Sequence, residues 1–197
     1  MNRILRAAVV LSAVSIAGPG VSAKEPPSPK GLDALWTELG TDEPVKAHQA
    51  IAAFVAQPTQ TVPFLKERLR PIPNPDPHRL TRLIADLGDP QFKVRESATK
   101  ELDRLGEPAE PALQKALAEG AAPEVRRRME QLLETRKRQR LHPLPEQRRL
   151  ARAVEVLESI GDPAARRLLG TLAEGAAEAP LTRDARGAVE RLRVLQP

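Results

Sequence analysis

From Leu32 to Leu195 the apolar positions recur at steps of three and four, as they do on a helix with one buried stripe. Leu32, Leu35, Trp36 and Leu39 share a face, as do Ala47, Ile51, Phe54 and Val55. Val62, Leu65 and Leu69 follow, then Leu80, Leu83, Ile84 and Leu87, then Val94, Ala98, Leu102 and Leu105. Ala109, Leu113, Ala116 and Leu117 precede Val125, Met129, Leu132 and Leu133. The last three stripes are Leu150, Val154, Leu157 and Ile160; Ala165, Leu168, Leu169 and Leu172; and Ala185, Val189, Leu192 and Leu195. No comparable stretch alternates with period two, so the pattern predicts an all-α chain.

Punctuation between these segments predicts how the helices are joined. Gly88-Asp89-Pro90, Gly106-Glu107-Pro108 and Gly161-Asp162-Pro163 repeat one chemistry. Glycine takes the left-handed position that ends a helix, the acid caps the next, and proline suits a first helical turn. Glu43-Pro44 and Gln57-Pro58 are weaker versions. Breaks this short predict antiparallel neighbours, with Pro44–Leu69, Phe92–Glu119 and Leu144–Ala173 as two-helix units. Units recurring at this size predict an α-solenoid of stacked hairpins rather than a closed bundle. Pro71, Pro73, Pro75 and Pro77 interrupt the pattern with an extended connector over 71–77, read as a rigid surface loop rather than a hinge between sub-arrays.

Composition adds that the core is built from Leu, Ala, Val and Ile. The chain is 41% hydrophobic but only 2% aromatic, which favours close helix packing over sheet. The absence of cysteine excludes disulfides, thiolate metal sites and a cysteine nucleophile. The first residues form a block apart. Arg3 and Arg6 precede an uncharged apolar run, Ala7 to Ala17, and Gly18-Pro19-Gly20 leads to Val21-Ser22-Ala23. That is the layout of a secretory signal peptide over 1–23, cut before Lys24. A flexible lead-in over 24–31 and a helical domain over 32–197 are expected to follow, exported to the periplasm or beyond.

Several segments resemble a known family. Arg79-Leu80-Thr81-Arg82-Leu83-Ile84-Ala85-Asp86-Leu87, followed by Phe92-Lys93-Val94-Arg95-Glu96-Ser97-Ala98-Thr99, is one of them. Pro123-Glu124-Val125-Arg126-Arg127-Arg128 and the run from Arg152 to Gly161 are others. These are similar to the HEAT-like helical tail that follows WD-repeat propellers in planctomycete multidomain proteins, and the likeness runs from about Leu32 to Leu195. The resemblance implies an α-solenoid with a scaffolding or protein-binding role and brings no catalytic residues with it. This chain differs in having a signal-like segment and no propeller.

Candidate chemistry is sparse. His48, His78 and His142 stand alone, without a partner at metal-ligand spacing, and read as surface residues. The acid pairs Glu101/Asp103 and Glu155/Glu158 sit beside arginines, as solvated helix charges do. No Gly-x-Ser-x-Gly elbow or phosphate-cradling glycine loop is present. Trp36 reads as the anchor of the first helix. No enzyme activity, cofactor or metal is therefore expected.

Charge is the one feature above background. Between Glu124 and Arg152 ten basic residues face four acids, a local +6 that leaves the rest of the mature chain at −3. Such asymmetry can steer an anionic partner, the alternative being an arginine-rich face that only meets water. Arg127, Lys137, Arg138, Arg148, Arg149 and Arg152 are the candidate partner-binding residues, and a hairpin at Leu141–Pro145 is expected to gather them on one surface. Reversing Arg138, Arg148 and Arg149 to Glu is expected to weaken an anionic partner with the fold intact. The expected role is a non-catalytic protein-interaction scaffold of the cell envelope; the alternative is a binder of nucleic acid or envelope polysaccharide through this basic segment.

Overall fold

The structure, a computed structural model, describes residues 29–194. Among them are ten helices and no strand: α1 (Pro29–Glu38), α2 (Pro44–Val55), α3 (Pro58–Arg68), α4 (Pro77–Asp86), α5 (Phe92–Leu105), α6 (Glu110–Ala118), α7 (Pro123–Leu141), α8 (Pro145–Ile160), α9 (Pro163–Ala173) and α10 (Pro180–Val194). The expected signal peptide and residues 24–28 of the lead-in lie outside the described residues. The end of that lead-in is helical, since α1 already starts at Pro29. Proline opens eight of the ten helices. Its fixed φ suits the first turn, and its missing N–H falls where no helical acceptor exists.

Local capping follows the expected logic in one of the three glycine–acid–proline motifs. Gly161 ends α8 in the left-handed conformation, φ 59°, and the Asp162 carboxylate accepts from the Ala165 amide at 2.7 Å to start α9. The other two depart from it. Gly88 has no positive φ, and Asp89 makes a local turn by accepting from the Gln91 amide at 2.7 Å. At Gly106 (φ 72°, ψ −149°) the chain enters a 3-10 turn, Glu107–Ala109, so Glu107 caps nothing. Asp76, not singled out in the sequence, caps α4 by accepting from the His78 amide at 3.0 Å.

The helices bury two separate cores. Residues from α1, α2 and α3 meet those of α8, α9 and α10 around Phe54, Leu65, Leu157, Leu169 and Leu172, all with essentially no exposure. Helices α4 to α7 enclose the second, around Leu87, Leu102, Leu113 and Met129. None of the principal helix–helix contacts joins the two bodies. The second is thus an insertion into the first, entered after Leu69 and left at His142. Within the first body α2 packs on α8, which closes the first three helices onto the last three.

Pairing therefore differs from the expectation in two places. Helices α2/α3 and α8/α9 are neighbours, as the spacing predicts. The expected Phe92–Glu119 unit is not one: α5 packs on α4 and α7, and α6 on α7 and α4, because the Gly106 turn carries α6 away from α5. Only three residues separate α7 from α8, yet the two helices enter different cores. A short proline-rich break sets the direction of the next helix, but burial decides where that helix docks.

The 71–77 connector is both a packed loop and the boundary between the bodies. Ile72 packs on the first core, and its carbonyl accepts from the Ala176 amide at 2.7 Å. The approach requires glycine at 175, where a Cβ would collide with the buried Thr182 hydroxyl and stand 3.0 and 3.1 Å from the Ile72 carbonyl oxygen and amide nitrogen. Gly175→Ala is expected to cost about 1–3 kcal/mol by overpacking, read as a lowered melting temperature. An unchanged melt would mean that the connector is not held there.

Helix α10 is tied to α8 by a bidentate pair, Arg191 Nε and Nη2 to the Glu158 carboxylate at 2.6 and 2.7 Å. This bond to Arg191 holds the Glu158 carboxyl below its usual range, partly offset by burial. A carboxylate depressed in the folded state contributes stability above its unfolded pKa and loses it as pH falls through the folded value. Glu158→Gln should therefore flatten the acid limb of the stability profile, measured by melts from neutral to strongly acidic pH. An acid limb as steep as in wild type would locate acid sensitivity elsewhere.

Candidate partner-binding site

The basic segment converges only in part: Arg140 of α7 and Arg148 and Arg152 of α8 line one opening with Arg183 of α10, which Arg127, Lys137, Arg138 and Arg149 do not line. Along α7, Arg127 donates from Nε and Nη2 to the Glu124 carboxylate at 3.2 and 3.1 Å, and Arg128 reaches the same acid at 2.8 Å. The Arg127 bond holds Glu124 below its usual carboxyl range. Lys137 and Arg138 are exposed, and Arg138 donates only to the Thr135 hydroxyl at 3.3 Å. Arg136, part of the same run, is buried: it donates to the Asp103 carbonyl, to the Asp103 carboxylate at 2.9 Å and to Gln139 at 2.8 Å. There it binds the C-terminal end of α5.

The three arginines of α8 turn the other way, onto the end of α1 and the turn that follows it. Arg148 Nε donates to the Gly40 carbonyl at 3.0 Å, and Arg149 Nε to the Trp36 carbonyl at 2.9 Å. Arg152 Nη1 donates to the carbonyls of Leu39 and Thr41 at 2.7 and 2.6 Å. Arg149 also pairs with Glu146 and lies 5.5 Å from the centre of the Trp36 ring. The last carbonyls of a helix have no intrahelical donor and carry its negative dipole end, so guanidinium is the natural cap. Trp36 stands edge-on to Phe64 at 6.3 Å, completing the attachment of α1 to α3. The expected convergence of all six residues thus fails: Arg148, Arg149 and Arg152 are half-buried on the first body, while Arg127, Lys137 and Arg138 point outward from the second.

Where the two bodies meet, charged groups stand beside apolar ones such as Leu105, Leu150 and Leu181. Glu107 is buried, with Oε2 2.8 Å from Arg183 of α10 and Oε1 3.9 Å from Arg140 of α7. The two guanidiniums offset its charge only in part, since Oε2 makes no hydrogen bond and Arg140 lies closer to Glu110, at 2.8 Å; removing Arg183 would leave the carboxylate costlier still. Beside it Asp184 is pushed above its usual range by burial, opposed by Arg183 and Arg191.

A large opening lies elsewhere, a cleft of about 720 Å³ running along α3 and α9. Val62, Leu69 and Leu168 form its floor, with Pro58, Pro63, Pro71 and Ala164 beside them. Lys66, Arg70 and Arg167 stand exposed at its rim. No ion pair joins any of these three to an acid among the described residues. The sequence alone does not reveal the site, because Lys66 and Arg70, at and just past the end of α3, meet Arg167 of α9 only in the folded chain.

The histidines His48, His78 and His142 are all exposed. Among the described residues no cluster of histidines and acids could hold a metal ion, and no helix is long and apolar enough to cross a membrane. No known protein family, curated protein or solved structure matches the chain.

Proposed function

We propose that this protein is a non-catalytic, protein-interaction scaffold of the cell envelope, a HEAT-like array of helix hairpins exported by a cleaved signal peptide. The observation that carries the reading is the open α3–α9 cleft, apolar at its floor and cationic at its rim. Most arginines elsewhere are bound to acids or to helix ends, whereas none of these cations pairs with an acid among the described residues, and only Arg70 is engaged, by its bond to the Lys66 carbonyl at 3.2 Å. Pairs such as α2/α3, α8/α9 and α9/α10 support the HEAT-like description. The packing of α2 on α8 makes the array fold back on itself, unlike an open row in which each repeat touches only its neighbours.

Binding of an anionic polymer is the second reading, favoured by exposed Lys137 and Arg138 on a segment of net charge +6. Against it, half of the candidate residues hold α1 in place, and Glu130 and Glu134 interrupt the exposed face of α7. Immobilised protein challenged with envelope extract at low and high salt separates the two. A defined protein retained at both ionic strengths, and rebinding after purification, is the expected result. Capture of nucleic acid or polysaccharide that disappears with salt would support the polymer reading instead, since phosphate neutralisation is steeply salt-dependent.

A further inference from the structure

We propose that the α3–α9 cleft binds an extended acidic segment of a partner protein, its carboxylates on the rim cations and its apolar side chains on the floor. The proposal rests on the scaffold reading and names the chemistry of the partner. Length comes first: helices α3 and α9 each span 11 residues, or about 16 Å at 1.5 Å per residue. An extended strand of about five residues covers that distance.

Charge sets the sign of the occupant. Lys66, Arg70 and Arg167 border the cleft, and the one acid lining it, Asp162, is engaged by the Ala165 amide at 2.7 Å. Neighbouring Arg68 shows what an arginine here does when an acid is within reach, pairing with Asp33 at 2.6 Å. In an extended peptide successive side chains point to opposite sides. An alternating acidic and apolar segment would therefore meet cations and floor together.

The backbone offers a further acceptor. Pro63 stands inside α3 and has no N–H, so the Thr59 carbonyl lacks its usual helical donor. Thr59 and Pro63 both line the cleft, where a peptide N–H can supply the missing bond. Nucleic acid fits less well. No aromatic ring lines the cleft for base stacking, and nearby Phe64 packs on the core beneath the Arg68 guanidinium, 3.6 Å from its centre.

A fluorescein-labelled peptide of alternating glutamate and leucine, about seven residues long to overhang both ends, is titrated with the protein and followed by anisotropy. Saturable binding is expected. Affinity should fall about tenfold or more in the Lys66→Glu/Arg70→Glu/Arg167→Glu variant, and similarly for the peptide with glutamine in place of glutamate. Pro63→Ala, which returns a donor to Thr59, should weaken binding about threefold. Should the charge-reversed variant misfold by circular dichroism, Lys66→Gln/Arg70→Gln/Arg167→Gln gives the same readout without repulsion. Undiminished binding by a folded variant, no binding by wild type, or equal competition by an oligothymidylate of matched charge would overturn the proposal. Retention of the captured envelope partner by the variant would overturn the cleft and leave the scaffold reading intact. Peptide binding by a protein that captures no envelope partner would sink the scaffold reading and keep the cleft.

Discussion

Truncating Leu157 to Ala should lower the unfolding free energy by about 2–5 kcal/mol, and truncating Leu102 by a similar amount, but the two losses should fall on different parts of the molecule. Leu157 is fully buried in the core shared by α1–α3 and α8–α10. Leu102 is 1% exposed, in the core of α4–α7. Each truncation removes apolar contact and leaves a cavity that its close-packed neighbours fill only in part. Because the principal helix contacts stay within each body, Leu102→Ala should expose α4–α7 to hydrogen exchange while α8–α10 stay protected. Leu157→Ala should expose the outer body. Exchange by mass spectrometry resolves the two, and uniform loss of protection in both variants would show that the cores unfold as one unit.

Charge reversal in α8 should be nearly as damaging. In the Arg148→Glu/Arg149→Glu/Arg152→Glu variant, four carbonyls, at the end of α1 and in the turn after it, lose their donors and face carboxylates near the negative end of a helix dipole. A hydrogen bond to a charged group is worth about 1.5–3 kcal/mol, and these side chains are partly exposed, so a total of about 3 kcal/mol is expected. Melting temperature and hydrogen exchange in α1 are the readouts. Arg138→Glu, on an exposed stretch of α7, should change little. The expectation that Arg138, Arg148 and Arg149 can be reversed together with the fold intact is therefore corrected: two of the three are structural caps. If the α8 triple variant melts like wild type, the guanidiniums do not hold α1, and their charge is available to a partner after all.

What the sequence by itself determined is local. Helix faces were legible because burial imposes a three-to-four step on apolar residues, and the stripes Leu150, Val154, Leu157, Ile160 and Ala165, Leu168, Leu169, Leu172 all pack on the first core. Helix starts were legible because proline acts within its own first turn, and the Gly161-Asp162 junction because its cap spans only a few residues. What only the tertiary structure decided is which faces meet. Leu69 and Leu80 both read as stripe residues, yet they lie in different cores; nothing in a helical period names its partner. The ten basic residues from Arg126 to Arg152 read as one patch because a charge run records adjacency along the chain. In space, Arg148 is drawn to the carbonyl of Gly40, 108 positions away, and Arg136 into the end of α5, since unpaired carbonyls there need donors. Conversely, Lys66 and Arg70 are near neighbours in the chain but Arg167 lies about a hundred positions on, and only the packing of α3 on α9 makes the three one rim.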